Sequence, residues 1–101
     1  MKKIKAEVVH MRNYGKKTRI IGDTLYIYCG RPSKLGNPYS MRNESDRGKV
    51  IEQFKNDSEM KKKVKGLKVE LLRRGFTKVK LGCFCSPKAC HCDIIKKRLE
   101  K

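Results

Sequence analysis

Four cysteines and a histidine fall within ten residues, Cys83-Phe84-Cys85-Ser86-Pro87-Lys88-Ala89-Cys90-His91-Cys92. Thiolate and imidazole are ligands that zinc prefers, and a thiol beside a histidine is also material for nucleophilic chemistry. Three readings follow. In the first, a zinc ion takes four ligands from Cys83, Cys85, Cys90, His91 and Cys92, with Cys29 held in reserve; against it, structural zinc sites usually draw two pairs from distant segments. In the second, Cys90 or its neighbour is a reactive thiolate whose pKa is lowered by a helix N-terminus, His91 and Lys88, and His91 could serve as acid or base. In the third, the thiols are small buried side chains at a tight strand-to-helix turn.

A second segment with chemical content is Gly30-Arg31-Pro32-Ser33-Lys34-Leu35-Gly36-Asn37-Pro38-Tyr39. Its glycines allow backbone N–H groups to converge, Arg31 and Lys34 add positive charge, and Ser33 and Asn37 add neutral donors. Such a loop suits a phosphate or another anion. As an ordinary surface turn it would need no ligand, and it matches no established phosphate fingerprint.

The elements that must position these groups can be read from periodicity. Ile4 to Met11 alternates as a strand, and Thr24 to Cys29 is β-branched and aromatic without a breaker. Asn43 or Ser45 could cap a helix carrying Val50, Ile51 and Phe54. Asn56 with Glu59 resembles a capping box for a second helix, on which Met60, Val64, Leu67 and Leu71 share one face and Gly75 closes the end. Thr77 to Cys85 is a strand with Val79, Leu81 and Cys83 on one side. Ser86-Pro87 marks the start of a last helix through Ile94, Ile95 and Leu99. The order β, β, loop, α, α, β, α predicts one α/β domain over residues 1–101. It would have two or three layers, with a short, at least partly parallel sheet flanked by three helices. If strands 24–29 and 77–85 are parallel, both chemical segments leave the carboxyl edge of the sheet, where open α/β sheets bind ligands.

Of 101 residues, 27 are Lys or Arg and 10 are Asp or Glu, a net charge of +17. The excess gathers in the first twenty residues and in residues 61–80. That asymmetry points to a polyanion, with nucleic acid the commonest; a solvated lysine-rich surface of the kind heat-adapted chains carry would look the same. The run Lys61-Lys62-Lys63 with Lys65, Lys68, Arg73 and Arg74 reads as the solvated face of a helix that would touch phosphates nonspecifically if nucleic acid is present. Tyr14, Tyr26, Tyr28 and Tyr39 could stack bases or simply pack. His10 reads as a core or edge residue. No segment approaches a membrane span or a signal peptide, so the expectation is a cytoplasmic protein with reduced thiols.

At its two motifs the sequence resembles a family catalogued as domain of unknown function 4326, found in phages, prokaryotes and mobile elements. The shared pattern is carried by Gly30, Arg31, Ser33, Gly36, Asn37, Pro38 and Tyr39, then by Leu81, Cys83, Cys85, Pro87, Cys90, His91 and Asp93. Leu35 and Phe84 stand where that family commonly has Trp, and Cys92 where it commonly has Gly. The resemblance covers Val8 to Leu99, brings no known activity, and favours Cys83, Cys85, Cys90 and His91 as the metal set over Cys92. The resulting expectation is a site for a nucleotide or other phosphate-bearing ligand made by Arg31, Ser33, Lys34 and Asn37, with Cys90 and His91 acting on the ligand or gripping it. The competing expectation is a basic nucleic-acid-binding module stapled by zinc. Neither decides between an enzyme and a binding domain.

Overall fold

The structure is a computed structural model, and it describes residues 3–30, 35–37, 39, 42–83 and 90–101. Four strands, β1 (Lys5–His10), β2 (Arg19–Ile21), β3 (Thr24–Tyr28) and β4 (Lys78–Cys83), form one sheet in the order β1-β4-β3-β2. Both β1 and β3 run parallel to β4, while β2 is antiparallel to β3. The domain is therefore α/β, as expected, with a mostly parallel sheet. The short β2 was not expected; it pairs through the Gly22-Asp23 turn, with Ile21 opposite Thr24.

Alternation sorts the two faces. Ala6, Leu25, Ile27, Cys29, Val79, Leu81 and Cys83 join one core with residues from three helices, α1 (Arg47–Asn56), α2 (Ser58–Arg73) and α3 (His91–Glu100). The helices supply Phe54, Met60, Val64, Leu71, Ile95 and Leu99 at helical spacing. The opposite face is aromatic: Tyr26 and Tyr28 are buried there, Tyr14 stacks on Tyr26 with ring centroids 4.9 Å apart, and the Tyr26 hydroxyl donates to Gly15 O at 2.7 Å. The architecture is thus two layers, and Tyr26 and Tyr28 are packing residues with no face left for a base to stack on.

Glycine makes that aromatic layer possible. A Cβ at Gly82 would fall 2.5 Å from Cζ of Tyr26 and closer still to its hydroxyl. Gly75 has a different duty. With φ +80° it ends α2 in a left-handed turn, its N–H bonding Leu72 O at 3.2 Å while Phe76 N–H bonds Leu71 O at 2.9 Å.

The helix starts differ from the sequence reading: Asn43 caps a 3-10 turn, Glu44–Asp46, and α1 follows with Asp46 as its cap. The cap of α2 is Asp57, whose carboxylate accepts from the N–H groups of Glu59 and Met60, while the Asn56 amide points back to Glu52. A carboxylate satisfies two orphan donors at a helix start and also matches its dipole. The helix α3 begins at His91, with Cys90 as cap; the proposed start at Ser86-Pro87 lies outside the described residues.

Candidate metal centre

The parallel pairing of β3 and β4 brings Cys29 and Cys83 to one edge of the sheet, with Cys29 N–H bonded to Gly82 O at 2.8 Å. The first turn of α3 docks on the same edge. Cys90 stands at its N-cap with extended backbone, φ −155° and ψ 176°, and closes a capping box: its sulfur accepts from Cys92 N–H at 3.4 Å, and Asp93 accepts from Cys90 N–H at 3.0 Å. This start aims the residue 90 and 92 side chains the same way and sends residue 91 elsewhere.

The result is a buried sulfur cluster. One ligand atom each from Cys83, Cys90 and Cys92 lie within 4.8 Å of one another, and the Cys83 and Cys90 sulfurs are 3.2 Å apart. Thiolates about 2.3 Å from a tetrahedral zinc ion sit about 3.8 Å from one another, so the observed separations bracket that value. Cys29 is buried at the same edge, its thiol donating to Ile27 O at 3.6 Å. All four residues are at most 3% exposed, and all four are free thiols.

Of the ligand set favoured by resemblance, Cys83 and Cys90 come together, and the third member of the group among the described residues is Cys92. His91 is buried, but its Nε2 lies 2.6 Å from Cys29 O and 4.0 Å from the Cys92 sulfur, and its ring meets Phe54 with centroids 5.1 Å apart. The imidazole therefore ties the start of α3 to the end of β3. Cys85 lies outside the described residues.

Burial and neighbouring thiols act on Cys90 as well. Its hydrogen bond with Cys83, together with burial, pushes its pKa up to about 12, against the lowering offered by Cys92. The Cys92 thiol is likewise raised, first by its contacts with Cys29 and Cys83 and then by burial. Neighbouring thiols cannot all ionise in a dry site, whereas a divalent cation between them reverses that balance and deprotonates its ligands. The cluster could hold a metal ion.

The loop residues fare differently. Asn37 is used inside the fold: its Nδ2 donates to Val50 O at 3.1 Å and its Oδ1 accepts from Tyr39 N–H at 2.9 Å. The Tyr39 hydroxyl donates to Asp57 at 2.6 Å, so Tyr39 is pinned at the α1–α2 junction. Arg31, Ser33 and Lys34 lie outside the described residues. Beside Tyr39 opens a polar cleft of about 660 Å³ lined by Arg42, Asn43, Asp46, Lys49, Val50 and Gln53. His10 lies opposite Cys83 in register, half-buried, its Nδ1 accepting from Arg12 N–H at 3.0 Å.

Among the described residues no helix is long and apolar enough to cross a membrane. The model of a family described as Domain of unknown function (DUF4326) matches residues 11–101. No curated protein and no solved structure matches.

Proposed function

The chain belongs to the DUF4326 family, and from that premise we propose that it is a metal-stapled ligand-binding domain. A zinc ion held by the thiolates of Cys83, Cys90 and Cys92, with Cys29 as the fourth sulfur, fixes the carboxyl edge of the sheet. One observation carries the reading: three buried, unbridged thiols converge within 4.8 Å at the junction of a strand and a helix. Soft sulfur ligands select zinc over magnesium or calcium, and a closed, buried set is the habit of structural sites, where catalytic ones keep a position open. Cys90 and His91 then serve as holding groups, one as ligand and cap, the other as the brace on Cys29 O, and not as nucleophile and base.

The test is metal analysis joined to thiol titration on the native protein. About one zinc per chain is expected, with the four buried thiols unreactive until a chelator removes the metal. Protein free of metal whose buried thiols show the same reactivity with and without chelator would overturn the staple.

The class of ligand is suggested by the cleft beside Tyr39. Its volume suits a small molecule, Arg42 and Lys49 offer charge for a phosphate, and the Asn43 and Gln53 amides offer hydrogen bonds. We propose a nucleotide here, with Arg31, Ser33 and Lys34 supplying the remaining phosphate contacts. Millimolar ATP or GTP should raise the melting temperature by several degrees, with less effect from inorganic phosphate and none in Arg42→Ala/Lys49→Ala. Nucleotides that leave the wild-type melting curve unmoved would remove this ligand class while leaving the metal site standing.

A further inference from the structure

Toward the opposite end of α3 from the sulfur cluster, α2 and α3 enclose a second cleft, of about 250 Å³, whose lining is almost wholly cationic: Lys61, Lys65 and Lys68 from α2, Arg98 from α3 and Lys101 just after it, and Val64 at the floor. Lys61, Lys65 and Lys68 lie on one face because they are spaced four and three residues apart. No acidic side chain lines the cleft. Lys68 Nζ donates to Lys101 O at 2.5 Å; the remaining like charges brought together here repel one another and cost stability, and an anion would relieve that repulsion.

Arg98 distinguishes the cleft from an ordinary lysine-rich surface. Its Nη2 donates to Lys55 O near the end of α1, which fixes the guanidinium in place. Its Nη1 is buried and is without a hydrogen-bond partner among the described residues. A buried guanidinium N–H left unmatched is costly, and the guanidinium so held keeps its positive charge at the wall of the cleft. Val64, buried in the core, forms the floor of the cleft.

We propose that this α2–α3 cleft is the docking site for the phosphodiester backbone of a nucleic acid, independent of both the metal centre and the Tyr39 cleft. Backbone contact needs no base-reading groups, and the lining offers none beyond the cations. Successive lysines are about 6 Å and 4.5 Å apart along the helix axis, so they track along a charged strand and do not close round a single ion. The excess charge of residues 61–80 is thereby given a location.

The experiment measures binding of a fluorescent duplex DNA of about 20 base pairs across a salt series. Two triple variants are compared, each removing three cations from α2: Lys61→Ala/Lys65→Ala/Lys68→Ala in the cleft and Lys62→Ala/Lys63→Ala/Arg73→Ala outside it. The cleft variant is expected to reduce the slope of log affinity against log salt by about 2 to 3, since each neutralised phosphate contributes about 0.9. The outside variant should change it by less than about 1. Equal losses in both would overturn the cleft in favour of a diffuse field, and wild-type protein that does not bind the duplex would overturn it outright. Vesicles of phosphatidylcholine with one third phosphatidylserine form the second arm; cleft-dependent binding to them, without cleft-dependent binding to DNA, would also overturn the proposal. Should the triple variant melt early, the single exposed change Lys65→Glu reads the same slope.

Discussion

Cys92→Ser is expected to release the bound metal and to lower the free energy of unfolding by several kcal/mol, out of the roughly 5–15 kcal/mol that a domain of this kind holds. The sulfur of Cys92 is one of the three that converge with Cys83 and Cys90, so a hydroxyl there leaves the other thiols without a shared cation. The binding free energy of a structural zinc is folding free energy, and its loss should appear in three readouts together. Zinc content should fall below about one tenth of an equivalent, the thermal transition should drop and broaden, and added chelator should then have no further effect. A cluster that merely packs predicts something else: a loss of about 1–3 kcal/mol from burying the serine hydroxyl, with chelator inert on both wild type and variant. That second pattern, if found, would end the metal reading. Cys83→Ser should behave like Cys92→Ser. Cys90→Ser should lose metal as well, while a serine hydroxyl, a good N-cap in its own right, preserves the start of α3.

Gly82→Ala is expected to destabilise the fold by about 2–3 kcal/mol, near the upper end of what overpacking costs. The methyl group would enter the ring of Tyr26, which is fully buried and tied by its hydroxyl to Gly15 O. The ring cannot swing away without breaking that bond and unstacking Tyr14. Urea midpoints would measure the loss, and a double-mutant cycle would assign it. In a Tyr26→Leu background the same glycine change should cost at least about 1 kcal/mol less. A cost that is unchanged in that background would mean that strand propensity at residue 82, and not the aromatic layer, sets the requirement for glycine.

The position of the sulfur cluster was legible because a strand ending near Cys83 and a helix ending near Leu99 leave only a short connection between them. The identity of its members was less so. Whether Cys90, His91 or Cys92 faces the core depends on the backbone at residue 90, and the signal was a cysteine standing where a serine or aspartate commonly caps a helix. With Cys90 extended and the helix beginning at His91, the two cysteines converge and the histidine turns to Cys29 O. Reading the helix from Ser86-Pro87 hid this. Asn56 and Asp57 show the same limit on a smaller scale: both are good caps, and which one is used depends on where α1 stops. The aromatic residues of β3 illustrate another gap, since alternation shows that Tyr26 and Tyr28 share a face but not that Gly15 and Tyr14 cover it. β2 was missed because three exposed residues, Arg19-Ile20-Ile21, carry almost no periodic signal.

The order β1-β4-β3-β2 has a kinetic consequence. Apart from the small hairpin of β2 and β3, every strand pairing runs through β4, with Lys5 and Thr24 both opposite Lys78. Until β4 takes its place, β1 and β3 have no parallel partner, and the apolar face they share with the helices cannot close. Both pairings span long stretches of chain, so their loop entropy is lost before any contact repays it. On a ribosome the strands would wait for the last quarter of the chain, and the sulfur cluster, which needs β3, β4 and α3 together, would be the final part to assemble.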